Sequence, residues 1–353
     1  MNSIHENVSL KSLNTFRLDV SARYLAEPDS PVAVQELLKS RLAAIRPFMV
    51  LGGGSNVLFT GDFPGIVVHP RIRGIWINRH EGNTVWVKAG AGENWDSFVA
   101  WCVNRNLGGI ENLSLIPGTV GACPIQNIGA YGVEVSSVVE KVEAVWLEDG
   151  RTFSLKGTDC DFGYRNSVFK KELKHKALIT HVEFRLTTQP ELHIGYADLQ
   201  KELSQRTGVG ILTVREAVIR IRKSKLPDPD ETGNAGSFFK NPILSEEQAG
   251  DLRARYPNLP VYPETGGMVK LSAAWLIDQC GWKGKRRGDA GTHDKQALIL
   301  VNHGEASGKE ILHFAQAIQA SVHTRFGIEL EMEVNVVEGS VQQDRIASAG
   351  LPV

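Results

Sequence analysis

Three stretches of the chain carry side chains able to move a proton or steady a developing negative charge. In Phe162-Gly163-Tyr164-Arg165-Asn166-Ser167, Arg165 stands beside a glycine and an aromatic residue. A guanidinium so placed can present its fork to a carboxylate or an enolate; an exposed arginine on a surface turn is the plainer use of the same residues. In Gly233–Pro242 (GNAGSFFKNP), Ser237 follows small residues and precedes two phenylalanines. Glycine hinges can deliver its hydroxyl into a pocket, although a serine there otherwise serves as a turn or helix cap. A hydroxyl is a poor acid, so a proton-donor role needs neighbours that stabilise the alkoxide. The alternation Ile328–Val334 predicts a strand with Glu329, Glu331 and Glu333 on one face, a pattern that most often marks solvated surface.

Two glycine-rich loops point to a large ligand. Leu51–Leu58 (LGGGSNVL) follows the apolar Phe48-Met49-Val50, and the N–H groups of Gly52, Gly53, Gly54, Ser55 and Asn56 suit a diphosphate. Gly109–Val135 packs five glycines and two prolines around two short apolar runs, which reads as a buried cofactor cradle. Within it, Gln126 and Asn127 can offer amide groups to a heterocycle edge. Together the loops predict one large dinucleotide. Ser55–Phe59 continues as a strand instead of opening a helix, so a nicotinamide site of the doubly wound type is disfavoured.

The remaining composition narrows the class. A chain of 353 residues with 42% apolar and 22% charged residues predicts two or three domains of an ordinary globular protein. Its formal net charge of −1 gives no overall attraction for nucleic acid. Cys102, Cys123, Cys160 and Cys280 lack CxxC spacing, which predicts free, mostly buried thiols and no metal site. With no apolar leader and no stretch of membrane-span length, the expected place is the cytoplasm. GxSxG, HExxH and the phosphate-loop signature GxxxxGK[ST] are absent from the sequence, so serine hydrolase, zinc protease and NTP-hydrolase readings lose support.

These groups must be carried by a strand-rich α+β framework. Helical spacing is read over Pro31–Ile45, from Asn94 with Trp95, Phe98, Val99 and Cys102 as a buried stripe, over Thr213–Lys223, Ser245–Tyr256, Ser272–Cys280 and Lys309–Arg325. Strands are read at Pro47–Leu51, Thr84–Lys88 and His175–Leu186, with a hairpin of Lys141–Leu147 and Arg151–Leu155 about Asp149-Gly150. Prolines in Leu226-Pro227-Asp228-Pro229-Asp230 put a domain boundary near residues 205–230.

In collinear order, the chain from Leu10 to Val337 carries Asn14-Thr15-Phe16, LGGGSNVLF, GAGENW (Gly90–Trp95), the Gly109–Val135 stretch, FGYRNSVFK (Phe162–Lys170), KLPDP (Lys225–Pro229), GNAGSFFKNP and AAWLIDQCGWKG (Ala273–Gly284). This set resembles the UDP-N-acetylenolpyruvoylglucosamine reductase (MurB) family, of the type with a tyrosine loop. The resemblance implies a flavoprotein of peptidoglycan precursor synthesis. In it, NADPH reduces FAD, and hydride then passes from flavin N5 to C3 of UDP-N-acetylglucosamine enolpyruvate.

The same resemblance implies roles for residues. Ser237 matches the proton donor at C2, and Arg165 and Glu333 the pair that stabilises the enol or enolate. Gly52, Gly53, Gly54, Ser55, Asn56, Pro117, Gly118, Gly121, Ala122, Gln126, Asn127, Gly129, Ala130 and Tyr131 match FAD-binding positions. Tyr196 matches the tyrosine that closes over substrate, Lys225 and Asn241 the diphosphate contacts, and Gln296 a position near the substrate. The final strand reads EMEV where some members have EPEV, and Cys123 stands where a serine often occurs.

The implied fold is an FAD-binding domain of the vanillyl-alcohol-oxidase (PCMH) type over 1–210, in subdomains 1–72 and 73–210. A smaller α+β substrate domain over 220–327, a C-terminal strand over 328–340 returning to the active site and a mobile tail over 341–353 complete it. A monomer is expected. An FAD oxidase using dioxygen and a nucleotide-sugar binding protein without turnover are the competing readings.

Overall fold

The computed structural model describes residues 4–339; the expected tail 341–353 lies outside them. Its first sheet orders the strands Ile4–Ser9, Ser21–Ala26, Phe63–Val68 and Phe48–Val50, the last two pairing in parallel. The second is an antiparallel sheet of Thr152–Lys156, Val139–Trp146, Ala177–Thr187, Thr84–Gly90 and Ile75–Glu81. A third orders Gly233–Ser237, Ile299–Asn302, Ala290–Thr292 and Arg286–Arg287, and a three-stranded sheet is built from Ile243–Ser245, Met268–Leu271 and Val261–Pro263.

Local chemistry accounts for these elements. Ser30 caps the helix Pro31–Lys39 through the N–H of Ala33, with proline at its first position. Asn94 caps Trp95–Val103, and the stripe of Trp95, Phe98, Val99 and Cys102 is buried against the second sheet, where Phe98 and Phe184 rings lie 4.7 Å apart. Ser245 and Ser307 close capping boxes on Glu246–Arg255 and Gly308–Phe326, the latter ended by Gly327 at φ 70°. The Asp149-Gly150 turn joins its two strands as read, Gly150 standing at φ 76°.

Two expectations change. Gly233–Ser237, read as small residues with glycine hinges, is a strand, because its backbone pairs with Ile299–Asn302. Ile328–Val334 forms no regular strand; the strand is Asn335–Val337, which pairs in parallel with Val57–Phe59 beside the first glycine loop. Glu329 and Glu331 are exposed as alternation suggests, but the Glu333 side chain is turned inward.

One apolar cluster unites the two ends of the chain. Leu10, Phe16, Leu51 and Phe59 pack in the same core as Phe238, Phe239, Leu276 and Phe314. The second sheet and the Trp95–Val103 helix enclose a separate core. Cys102, Cys123 and Cys160 are free and buried; burial raises all three thiols, that of Cys160 to about 12.

Candidate active site

Thr15 links the first glycine loop to the strand of Ser237. Its N–H donates to the Gly54 carbonyl (3.1 Å), and its own carbonyl accepts from the Asn234 N–H (2.9 Å). Among the described residues, the N–H groups of Gly52, Gly53, Gly54 and Ser55 donate to no carbonyl or side chain. A Cβ on Gly53 would lie 2.7 Å from the Gly118 Cα, so the two glycine loops touch through bare backbone. Free amides on such a surface suit an anionic diphosphate, and a side chain at Gly53 would fill the junction. The residues therefore fit a dinucleotide cofactor.

Asn56 binds three segments into one wall. Its Nδ2 donates to Gln126 Oε1 (2.5 Å) and to the Glu333 carbonyl (3.2 Å), while its own carbonyl accepts from the Asn335 N–H (3.1 Å). Asn127 serves the loop itself. Its Nδ2 donates to Glu134 Oε2 and the Gly163 carbonyl, and its Oδ1 accepts from the Ser136 N–H. A buried amide so engaged has no donor left for a heterocycle edge, which corrects the reading of its side chain.

Arg165 occupies the left-handed region at φ 53° and turns its guanidinium onto the Gly129 carbonyl (Nη2 to O, 2.9 Å). Its Nε stands 3.1 Å from Glu333 Oε1. A Cβ on Gly129 would come 3.1 Å from Arg165 Nη1, so the glycine makes room for the side chain. Burial pushes the Glu333 carboxyl above its ordinary range, against the pull of Arg165, Lys170 and Lys240. Lys170, its Nζ donating to the Arg165 carbonyl (3.3 Å), is held below the usual lysine range by burial and by Lys240. Sequence reasoning gave Lys170 no role; its place in FGYRNSVFK was the available signal.

Ser237 ends its strand after a bulge at Gly236 (φ 69°) and is exposed. The buried rings of Phe238 and Phe239 anchor the chain directly after it. The Phe238 carbonyl accepts from the Glu333 N–H (2.8 Å), and Lys240 pairs with Glu331 by both backbone and side chain. This register seats Glu333 next to the serine segment.

The other expected positions make their contacts with other segments. Tyr196 meets Tyr131 edge to face, with centroids 5.3 Å apart, and Lys225 pairs with Asp198 just beyond it. Asn241 spends its Oδ1 on the Ala273 N–H (3.0 Å) and lines a cleft of about 770 Å³ with Tyr164, Lys240 and Glu331. That cleft lies beside the Arg165–Glu333 pair, neither of which lines it. Gln296 is half-buried before Ile299, and its neighbour Lys295 reaches the Ser224 carbonyl. No group of His, Cys, Asp or Glu able to hold a metal ion occurs among the described residues.

Residues 22–156 match the FAD binding domain family, and residues 228–337 match the C-terminal domain of UDP-N-acetylenolpyruvoylglucosamine reductase. The reductase of that name from Chromobacterium violaceum is 50% identical over 331 residues, covering 93% of this chain and 97% of the relative. The chain belongs to the UDP-N-acetylenolpyruvoylglucosamine reductase family. The Burkholderia multivorans reductase is 47% identical over 328 residues, 92% of this chain and 94% of its own. The crystal structure of the Thermus caldophilus reductase (MurB) superimposes with a TM-score of 0.66 at 25% identity, covering 95% of this chain and 99% of that one. Membership makes the chain an FAD-binding oxidoreductase of α+β fold.

Proposed function

We propose that the chain reduces UDP-N-acetylglucosamine enolpyruvate to UDP-N-acetylmuramate with NADPH, and that Arg165, Ser237 and Glu333 divide the acid–base work. FAD would be held by Gly52–Asn56 and by Pro117, Gly118, Gly121, Ala122, Gln126, Gly129, Ala130 and Tyr131, with the Asn127 backbone. When bound, it would supply the two-electron chemistry by which hydride passes from NADPH to C3 of the enolpyruvyl group.

Addition at C3 leaves negative charge at C2 beside the substrate carboxylate. The Arg165 guanidinium steadies that charge, and the Ser237 hydroxyl delivers its proton to C2. Glu333, protonated for part of the cycle, donates a hydrogen bond to the same charge. The observation that carries this reading is the largely buried Arg165–Glu333 contact at 3.1 Å, seated by the Glu333 N–H on the carbonyl next to Ser237.

Tyr196, Lys225, Asn241 and Gln296 would take the substrate, Tyr196 closing over it and Lys225 and Asn241 facing its diphosphate. In this reading residues 1–210 house FAD and 220–327 the substrate, the segment 328–340 returning to the centre between them. The enzyme works as a cytoplasmic monomer; no helix among the described residues is long and apolar enough to cross a membrane.

An absorption spectrum tests the proposal. The purified protein is expected to be yellow, to bleach with NADPH without oxygen and to recover colour on adding the enolpyruvyl substrate. A colourless protein that takes up no flavin, or a reduced one that only dioxygen reoxidises, would overturn it.

A further inference from the structure

Asn112 lies in the glycine-rich stretch, and the reaction described above gives it no task. It is 1% exposed, within the turn Glu111–Leu113. Its Nδ2 donates to the carbonyls of Tyr131 (3.0 Å) and His193 (2.7 Å). Two carbonyls on one side fix the amide's orientation, because only its nitrogen can serve both. Oδ1 is left buried without a partner. That is costly, and a leucine of similar volume would avoid the cost, so the amide's use lies in its two N–H groups.

Those carbonyls belong to the two segments whose rings meet at 5.3 Å, Tyr131 and Tyr196. Tyr131 is fixed independently, at φ 51° ahead of Gly132 at φ 82°, with the Arg222 guanidinium facing its hydroxyl. The segment 191–196 is held less firmly, by the half-buried Leu192 side chain packed on two apolar clusters and by a single hydrogen bond. Among the described residues, the Asn112 bond is the one hydrogen bond tying it to the protein beyond the helix Ala197–Leu203 that it leads into. Glu191, His193, Ile194, Gly195 and Tyr196 are all exposed.

We propose that Asn112 is a positioning residue, a clasp that holds the Tyr196 segment against Tyr131 so that Tyr196 stands ready over the substrate. This rests on the reading of Tyr196 as a substrate contact. Ordering the segment before substrate arrives removes part of the entropy that binding would otherwise cost.

The test is a double-mutant cycle on the flavin-loaded enzyme. Asn112→Ala and Asn112→Leu are each expected to raise KM for the enolpyruvyl substrate about tenfold, the scale of one or two neutral hydrogen bonds, with flavin content unchanged. In a Tyr196→Ala background neither should raise it further. The leucine variant keeps the volume and removes the orphan acceptor, which offsets part of the cost of leaving the Tyr131 and His193 carbonyls without a donor, so its Tm should fall less than that of the alanine variant. Should the alanine variant fail to accumulate, the leucine variant decides. Both variants should also hasten proteolytic cleavage within 191–196. An unmoved KM in Asn112→Leu where Tyr196→Ala raises it, or equal effects with and without Tyr196, would overturn the clasp. If Tyr196→Ala itself leaves KM unchanged, the reading of Tyr196 fails, while unchanged proteolysis in Asn112→Leu would sink the clasp on its own account.

Discussion

Arg165 Nε lies 3.1 Å from Glu333 Oε1, and the two side chains are only 20% and 11% exposed. A carboxylate beside a guanidinium ordinarily titrates low. Here burial outweighs the cation, and the acid is pushed up. By contrast Glu331, two residues away, is 70% exposed and is spent on Lys240.

Glu333→Ala should therefore lower turnover by about 10²–10³-fold, the size of one lost hydrogen-bond donor to developing charge. Glu331→Ala should cost no more than about threefold, as befits a solvated ion pair. Single-turnover reoxidation of the reduced enzyme by substrate measures both. A larger loss at Glu331 would move the functional acid one strand repeat along the chain.

The same shift sets a pH dependence of stability. Below the ordinary glutamate value of 4.5, folded and unfolded chains both bind the proton at Glu333. Between that value and the raised one, the folded chain binds more, so this contribution is lost as pH rises through the window. Glutamine cannot ionise. Thermal melts from pH 4 upward, scanned about every half unit, should show a flatter profile for Glu333→Gln than for the parent. Equal slopes would mean that the buried carboxyl is not displaced.

Ser237→Ala should leave flavin reduction by NADPH at its normal rate while slowing substrate reduction by about 10²–10⁴-fold. Stopped-flow absorbance separates the half-reactions. Wild-type turnover in the variant would remove the serine from the proton path.

Gly53→Ala should reduce flavin content and destabilise the protein by about 1–3 kcal/mol, since the added Cβ would stand 2.7 Å from the Gly118 backbone. Gly250→Ala is the control. Gly250 lies in the helix Glu246–Arg255 with open space around it, so alanine should stabilise by about 0.5–1 kcal/mol. Flavin absorbance per protein and Tm, read together, decide the pair.

Much of the framework was legible in the residues themselves. The buried stripe of Trp95, Phe98, Val99 and Cys102, the Asp149-Gly150 hairpin and the helices read from Ser245, Ser272 and Lys309 follow from periodicity and turn chemistry. The strand Gly233–Ser237 did not, because small residues carry no strand signal and only pairing with Ile299–Asn302 makes it one.

The sequence by itself determined which residue types and loops were available: Arg165 beside glycine, Ser237 before two phenylalanines, three alternating glutamates and two glycine-rich runs. Tertiary structure alone decided which glutamate is desolvated. Alternation treats Glu329, Glu331 and Glu333 alike, and only the parallel pairing of Asn335–Val337 with Val57–Phe59, together with the Glu333 N–H on Phe238, turns one of them inward to Arg165. Local pattern encodes spacing within a segment. Desolvation, which sets the acidity of that carboxyl, depends on what distant segments place around it.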